Sequence, residues 1–515
     1  MKRIIGTIIT TLAFLLAAGL TSCEEKHPDL GTDTIPGELF HACYDIFTED
    51  DIMTRNNPSS GYIRQMWNAY ELTTDEAVSG IGDEGIVNYC FNAYDASHPL
   101  LSAFFFRLYE GISLCNRYLQ DYQSYDELMT AEVRFLRALH YYLLMDGWGN
   151  VPFLTGDTLD NAVRYSRSEM FYFIESELLE IEPHLSPARA KNSSDPDYGR
   201  VDKSAAWLLL ARLYLNSEVY TGSQQYGKAA QYAAQVMFSP YRLNTTVMGS
   251  WSAYQMLFMA DNGETDAAYE AIFPIPEKGM GHNIAGATFF LIASSHDADM
   301  VDSNGTTEAW GWNRARSDLV AKWFPSDDVP EAGPKDFAKA ACDDRAIMDS
   351  RGRRINNEDL GDFKAGFAVA KYNNYTTLGN STISAQFPDT DFFLMRAAEA
   401  YLTFAEASAR QSGGIATGDA ASAINHLRKR ANAATKDIYT LDEICDEWSR
   451  EFYFEGRRRM DLIRFGKYGG SSDYQWQWKG GSYAGRSFPE YLNLFPIPQA
   501  AMNATPGLAQ NPGYR

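Results

Sequence analysis

The stretch "EAWGWNR", residues 308–314, combines the side chains that suit carbohydrate recognition. Trp310 and Trp312 flank a glycine, and Asn313 and Arg314 follow directly. The apolar C–H faces of sugar rings stack on indoles, while the hydroxyl groups of the sugar need amide or guanidinium partners. Because helical periodicity is absent here, we predict that these four residues contact a saccharide ligand. The alternative is a pair of core tryptophans that fixes a loop.

Two earlier segments provide second candidates for the same site. They are "MWNAYELTTDEAVSG" and "NYCFNAYDASH", residues 66–80 and 88–98. Packing and helix capping use the same residue types, and the sequence favours those roles here. The candidate ligand residues in these segments are Trp67, Asp75, Asn92 and Tyr94.

The stretch "EFYFEGRRRMDLIRFGKY", residues 451–468, carries the densest charge of the chain. Its apolar spacing predicts a helix that continues from Leu441, with Gly456 on the packed stripe. Acids and bases three and four residues apart meet on a helix surface, so we predict ion pairs within the protein and no ligand contact. The predicted pairs are Glu455 with Arg459, and Arg457 and Arg458 with Asp461.

The chain lacks the short motifs of the common catalytic sites. Its eight histidines form no His-Glu-x-x-His, and Gly-x-Ser-x-Gly and Walker patterns are missing. The run "DADMVDSNG", residues 297–305, has its acids at Asp297, Asp299 and Asp302, which departs from the alternate spacing of a calcium loop. We predict a protein that is not an enzyme, without metal or cofactor. The 67 acidic residues leave open a carboxylate pair of the glycoside hydrolase kind.

The N-terminus predicts export and a lipid anchor. Lys2 and Arg3 precede an apolar run from Ile4 to Leu20, and the segment ends in Leu-Thr-Ser-Cys. This pattern is typical of a secretory signal peptide, and its ending resembles a bacterial lipobox. The alternative is a transmembrane helix, for which the run is short. We predict a signal peptide at residues 1–22, acylation of Cys23 and a polar tether over residues 23–38.

Composition limits the class of partner and the redox chemistry. The formal net charge of −22 argues against nucleic acid, which needs a basic surface. Apart from Cys23, the cysteines are dispersed and odd in number, which favours buried core thiols over a disulfide framework. These five cysteines are Cys43, Cys90, Cys115, Cys342 and Cys445.

Helical periodicity dominates the rest of the chain. A helix is predicted over residues 131–145, and helical hairpins over residues 202–220 with 224–237 and 391–410 with 418–431. Small residues at close spacing give these hairpins a degenerate tetratricopeptide-like character. Residues 238–387 and 56–100 are rich in Gly, Asn, Ser and aromatics, and such loops on a rigid frame usually hold binding sites.

Several of these segments together resemble the SusD/RagB family of glycan-binding outer-membrane lipoproteins. The resemblance includes the lipobox at Cys23, "LTTDEAVSG", "RLYEGISLCNRYL" with Asn116, and "AEVRFLRALHYYLLMDGWGNVPF". It continues through "LMRAAEAYLTFAEA" to the ending "LFPIPQAAMNATPGLAQNPGYR". In that ending, Ala501 and the pair Ala504-Thr505 depart from the usual family pattern.

The resemblance implies an all-α frame of four tetratricopeptide-like helix pairs, with a loop-rich ligand-binding face and short strands. We expect residues 39–240 and 241–515 to form the N-terminal and C-terminal parts of one fold. The resemblance also implies a lipoprotein at the exterior of the outer membrane that captures an oligosaccharide for a SusC-like TonB-dependent transporter. The alternatives are a lipid-anchored glycoside hydrolase and a helical-repeat adaptor that binds only protein or peptide.

Overall fold

The computed structural model describes residues 36–48, 61–80, 82–156, 159, 162–277, 286–326, 328–505 and 507–514. Cys23, the signal peptide and most of the tether lie outside these residues. Within the described residues, the structure contains no helix with the length and apolarity needed to cross a membrane.

Helices form most of the regular structure, as the sequence predicts. In chain order they are α1 Pro36–Asp45, α2 Tyr62–Glu71, α3 Ile86–Cys90, α4 Pro99–Tyr122, α5 Glu127–Trp148, α6 Arg167–Ile181, α7 Lys203–Leu215, α8 Ser217–Thr221, α9 Tyr226–Met237, α10 Gly286–Ser294, α11 Ser317–Val320, α12 Pro334–Ala341, α13 Ala398–Gln411, α14 Asp419–Arg430, α15 Leu441–Phe452, α16 Arg458–Arg464 and α17 Gln499–Ala504.

The strands are short and antiparallel. They are β1 Ala77–Ser79, β2 Val151–Phe153, β3 Val163–Tyr165, β4 Ala271–Ile275, β5 Asn313–Ala315, β6 Met348–Asp349, β7 Phe367–Val369, β8 Phe392–Arg396, β9 Ile415–Ala416 and β10 Tyr439–Thr440. One sheet has four strands in the order β1-β5-β7-β6. It joins residues 77–79 to the loop-rich region. Since β5 begins at Asn313, the sheet also fixes the end of residues 308–314, which we call the tryptophan loop.

Local signals explain where the main helices begin. Asp126 caps α5 by accepting a hydrogen bond from the Met129 amide, and Ser166 opens α6 with a capping box that Glu169 completes. Thr440 opens α15 in the same way, with Glu443 as its partner. Each cap satisfies amide groups that the first helical turn leaves without an internal partner.

The predicted helical hairpins form the frame. Helix α4 packs on α5, α7 packs on α9, and α13 packs on α14. Helix α9 also packs against α13, so hairpins from distant parts of the chain share one helical layer. Small residues such as Ala229 and Ala233, both fully buried, allow this close approach. The loops of the region between residues 238 and 387 lie outside this layer of hairpins.

The predicted helix over residues 391–410 is wrong at its beginning. Phe392–Arg396 is strand β8, paired with β4, and α13 starts only at Ala398. Phe392 and Phe393 are buried, and a short apolar run of this kind does not distinguish a strand from a buried helix by periodicity. Pairing with β4 supplies the backbone partners that decide between them.

The predicted continuous helix over residues 441–468 is also wrong. Helix α15 ends at Phe452 and α16 begins at Arg458, with Phe454 and Gly456 in the left-handed region at φ 63° and 76°. A Cβ on Gly456 would lie 2.9 Å from the Met66 side chain and 3.6 Å from the Trp67 Cα atom. The glycine is therefore needed for close packing, as expected, but in a turn rather than within a helix.

The charges of this stretch do pair within the protein, although only one predicted pair forms. Arg457 Nε lies 3.2 Å from Asp461, as expected. Glu455 turns instead to Lys371 and Arg396, at 2.8 and 2.7 Å. The break between α15 and α16 removes the helical spacing on which the pairing of Glu455 with Arg459 depended.

The two remaining arginines of the stretch also leave their predicted partners. Arg458 pairs with Asp75 at 2.8 Å rather than with Asp461. Arg459 donates to the Leu492 carbonyl oxygen at 3.1 Å, and its guanidinium carbon lies 3.8 Å from the centroid of the Phe495 ring. Both arginines are buried, so their contacts hold α16 to other parts of the core.

The five cysteines outside the signal peptide region are free thiols. Four of them are buried, as predicted for core cysteines, and Cys342 is exposed at the end of α12.

Candidate functional site

Backbone hydrogen bonds hold both ends of the tryptophan loop. Its end enters the sheet as β5, between β1 and β7. Its start lies along the end of α10 and the residues after it: the Trp310 amide donates to the Ala293 carbonyl oxygen and the Trp312 amide to the Ser294 carbonyl oxygen, both at 2.7 Å. Gly311 between them has φ 65°, a conformation that favours glycine. The loop is therefore rigidly held.

The two indoles form a half-buried stack. The ring centroids of Trp310 and Trp312 are 4.4 Å apart with an interplanar angle of 29°. Phe289 meets Trp310 edge-on at 5.4 Å and 89°. The Trp310 indole N–H donates to the Glu308 carboxylate at 3.0 Å, which fixes the orientation of the ring. We call Trp310, Trp312 and Phe289 the tryptophan platform.

Asn313 and Arg314 do not join the platform. Asn313 is buried, and its side-chain amide donates to the Ser294 hydroxyl at 2.7 Å. The buried Arg314 guanidinium donates to backbone carbonyl oxygens, among them Ala365 at 2.8 Å and Leu360 at 2.9 Å. Burial lowers the Arg314 pKa to about 10. Both side chains therefore stabilise the sheet in this structure and lie apart from the aromatic stack.

Three of the second candidates also have structural roles. Trp67 is fully buried and donates its indole N–H to the Phe454 carbonyl oxygen at 3.1 Å. The buried Asn92 donates to the Thr73 carbonyl oxygen at 2.8 Å, and the Tyr94 hydroxyl donates to a backbone carbonyl oxygen at 3.1 Å. All three side chains are buried and bonded within the protein in this structure.

Asp75 is the centre of a buried ion cluster. Its carboxylate receives Arg458 at 2.8 and 2.9 Å and the Tyr474 hydroxyl at 2.7 Å, and Lys322 Nζ lies 3.3 Å away. Burial alone raises the pKa of a carboxyl, yet the charges of Arg458 and Lys322 hold the Asp75 pKa well below its usual value. Asp75 therefore connects "LTTDEAVSG" to α16 through buried ion pairs.

Glu71 and Glu76, beside this cluster, form a buried carboxyl pair. Glu71 accepts the amide N–H groups of Gly456 and Arg457 at 2.6 and 3.1 Å, while Glu76 accepts the Ser449 hydroxyl. One oxygen of each carboxyl has no other partner. Burial, followed by the neighbouring charge of Glu76, raises the Glu71 pKa well above its usual value. We expect the pair to hold a proton, because two buried carboxylates side by side would repel each other.

Glu71→Gln is expected to gain stability over wild type as pH rises. Because the pKa of Glu71 is raised in the folded state, the proton of the pair stabilises the wild type fully below about pH 4.5. This stabilisation is lost as the pH rises through the pKa of the folded state. Glutamine keeps a donor in place at every pH. Urea unfolding from pH 5 to 9 should show a relative gain of up to about 1.4 kcal/mol per pH unit. Parallel pH profiles for the two proteins would contradict proton sharing.

A cleft of about 750 Å³ lies next to the platform. Ser295 and His296, which follow α10, form part of its wall. Its wall comes mainly from the region that the sequence marks as irregular, and it includes Asp302 and Asn304 of "DADMVDSNG". The aromatic and polar side chains of the wall include Trp251, Gln255, His296, Asn373 and Tyr375.

The three acidic residues of "DADMVDSNG" lie near three different basic side chains. Asp302 pairs with Arg351 at 2.6 Å, Asp299 lies 3.6 Å from Lys364, and Asp297 lies 3.7 Å from an arginine. In the described part of the chain, no group of three or more His, Cys, Asp or Glu side chains could hold a metal ion.

Relatives in sequence share most of the chain. The starch-binding protein SusD of Bacteroides thetaiotaomicron is 38% identical over 503 residues, covering 90% of this chain and 88% of the relative. A SusD-like protein of Bacteroides ovatus is 23% identical and covers 66% of this chain and 59% of that protein. The SusD family model matches residues 346–514.

Solved structures share the fold. Surface glycan-binding protein A from Bacteroides uniformis superposes with a TM-score of 0.68 at 22% identity, covering 92% of this chain and 98% of the other. Its counterpart from Bacteroides thetaiotaomicron, solved with laminarihexaose, gives a TM-score of 0.66 at 21% identity, with 92% and 98% coverage. The helical frame, the loop-rich face and the close relative together show that the chain belongs to the SusD family.

Proposed function

We propose that this protein binds oligosaccharides at the tryptophan platform and that it has no catalytic role. The observation that carries the proposal is the half-buried stack of Trp310 and Trp312 on a loop held by backbone hydrogen bonds. A rigid aromatic surface loses little conformational entropy when a sugar ring stacks on it. The relative that is 38% identical is named for starch binding, and its name supports a glycan as the ligand class.

The surroundings of the platform supply polar partners for sugar hydroxyls. Glu308 orients Trp310 and places a carboxylate beside the indole. The Gly80 amide donates to the Trp312 carbonyl oxygen at 2.9 Å, so the loop that leads to Asp83 begins beside the platform. Asp83 pairs with Arg64 at 3.0 Å and has about one third of its side chain exposed. Aromatic faces with such groups at the edge fit a neutral glycan.

The cellular role follows from the family and the N-terminus. We infer that acylated Cys23 anchors the protein on the outer membrane, where it faces the cell exterior. A SusC-like TonB-dependent transporter is the proposed partner that receives the captured glycan. The lipobox at Cys23 and membership of the SusD family support these inferences.

Isothermal titration calorimetry with maltohexaose and laminarihexaose tests the platform. Trp310→Ala and Trp312→Ala are each expected to weaken binding about 10- to 100-fold, because removal of a stacking ring costs about 1–3 kcal/mol. Trp207→Ala is the matched control: it removes a half-buried indole of the helical frame, which donates to Glu182 at 3.2 Å, and should leave affinity unchanged.

Two results would overturn the proposal. One is unchanged affinity in both platform variants while circular dichroism shows that they remain folded. The other is a wild-type protein that binds no member of a broad oligosaccharide panel. Release of shorter sugars from polysaccharide by the purified protein would contradict the non-catalytic role.

A further inference from the structure

We propose that the cleft beside the platform is a second saccharide-binding site, specific for neutral glycans and built around Trp251. This inference rests on the proposed function in one respect, the ligand class, since it extends glycan binding to a new place on the same face. The cleft volume of about 750 Å³ lies within the range of about 300–1,000 Å³ that is typical of small-molecule sites.

The two sites are distinct but share a wall. The backbone of residues 293–296 accepts hydrogen bonds from the tryptophan loop: the Ala293 carbonyl oxygen accepts from Trp310 and the His296 carbonyl oxygen from Gly311. Ser295 and His296 also line the cleft, whereas Trp310 and Trp312 do not. Residues 293–296 therefore support the platform and also contribute to the wall of the cleft.

Trp251 gives the cleft a surface on which a sugar ring can stack. The indole is half-buried, and Lys335 Nζ lies 4.2 Å from its ring centroid. Lys335 also donates to the Ser250 hydroxyl at 2.7 Å, which holds its ammonium group in place. Lys335 lines the cleft as well, so its ammonium group holds the indole at the wall and can itself donate to a ligand hydroxyl.

Side-chain amides and an imidazole supply the hydrogen bonds. The side-chain oxygen of Asn373 accepts the Tyr375 amide N–H at 3.0 Å, and that of Gln255 accepts the Ser252 amide N–H at 3.0 Å. Each arrangement fixes the oxygen end and leaves the NH2 end of the amide for hydroxyl acceptors. Burial lowers the His296 pKa, so its ring is neutral at pH 7 and offers both a donor and an acceptor.

The charges of the cleft favour a neutral ligand over an acidic one. Arg351 pairs with Asp302 at 2.6 Å and with Asp349, so its charge is already compensated. Glu331, also in the wall, accepts the Gly352 amide N–H at 2.8 Å. Three acids and three bases line the cleft, so a uronic acid or sulfated sugar would find no excess of positive charge here; they are Asp302, Glu331 and Asp336, and Lys335, Arg351 and Lys371.

Exposed aliphatic side chains stand next to the lining residues at two places. Val301 follows the lining residue Met300 and is 77% exposed, and Leu378 precedes the lining residue Gly379 and is 72% exposed. The C–H faces of a glycan that leaves the cleft can cover them.

The test measures binding of maltohexaose and laminarihexaose by calorimetry and by saturation-transfer NMR in four forms of the full-length protein. These are wild type, Trp310→Ala/Trp312→Ala, Trp251→Ala, and the triple variant. We expect the double variant to retain weak binding and the triple variant to lose it by a further factor of about ten or more, as removal of a stacking ring predicts. Asn373→Ala in the double-variant background should cause a similar loss and covers the case in which Trp251→Ala misfolds.

The outcomes separate the two sites. If the double variant loses all binding and Trp251→Ala equals wild type, the cleft proposal is overturned and the platform stands. If Trp251→Ala and Asn373→Ala each weaken binding while the platform variants do not, the cleft stands and the platform assignment fails. A wild type that binds neither these two probes nor any other oligosaccharide overturns both. Trp207→Ala, outside both sites, is the control throughout.

Discussion

Glu451→Gln is expected to lower the free energy of unfolding by about 3–5 kcal/mol, because it removes the carboxylate that three buried guanidinium groups share. The Glu451 carboxylate receives Arg396 at 2.7 Å and Arg345 at 3.3 Å, and it also pairs with Arg430. All of these side chains have no solvent exposure. Desolvated cations are tolerated only while an anion compensates them.

The cluster around Glu451 draws its members from distant parts of the chain, which is why one substitution has a large effect. Glu270 follows the loops after α9, and it pairs with Arg396 of β8 at 2.9 Å and with Arg430 of α14 at 3.1 Å. Glu447, one turn before Glu451 on α15, pairs with Arg345 at 2.7 Å. The cluster thus joins the helical frame to the loop-rich face that holds the platform and the cleft.

The effect of Glu451→Gln should also depend on pH. Burial raises the pKa of a carboxyl, but the charges of Arg430, Arg396 and Arg345 outweigh burial and lower the Glu451 pKa to about 2. A depressed folded pKa gives stability that is present above about pH 4.5 and lost as pH falls toward the folded value. The difference between variant and wild type should therefore shrink between pH 4.5 and 2.

Urea unfolding at pH 7 measures the difference, with Glu358→Gln as the control. Glu358 pairs with Arg354 at the surface, where both side chains are about half exposed, and its loss should cost about 0–1 kcal/mol. Equal effects of the two substitutions would show that the buried cluster does not depend on the charge of Glu451.

The helical frame could be predicted because its signals are local. The apolar and small-residue spacing of residues 202–220 and 224–237 specifies a hairpin, and α7 and α9 lie within those ranges. Strand β8 could not be predicted in this way, since its pairing with β4 depends on a partner more than a hundred residues away. The same holds for Arg458, whose partner Asp75 lies far from it in sequence.

The candidate site could be predicted only where residue type carries the chemistry. The tryptophan pair stood out because two indoles in an irregular loop have few local uses, and the structure places both at a half-buried position. Asn313 and Arg314 have equally suitable chemistry, but β-sheet pairing buries them. Trp251 and Asn373 come together only through the tertiary fold, and no spacing in the sequence connects them.

Asp75→Asn is the second substitution for which we expect a loss of about 3–5 kcal/mol, because an amide cannot compensate Arg458 and Lys322. The new NH2 group would face guanidinium donors that now lie 2.8 and 2.9 Å from carboxylate oxygens. Thermal and urea unfolding measure the loss. Asp446→Asn is a matched control, because Asp446 pairs with the same Lys322 at 3.2 Å but is 43% exposed, and it should cost about 0–1 kcal/mol.

The same variant decides between the two roles that the sequence allowed for Asp75. A structural residue should lose stability while the folded fraction of the variant binds glycan as wild type does, since Asp75 has no exposure and all its partners are protein groups. A ligand residue should lose affinity without loss of stability. A stable Asp75→Asn protein with weakened oligosaccharide binding would show that Asp75 contacts the ligand. Because Asp75 is buried, the loop around it would then have to open when glycan binds.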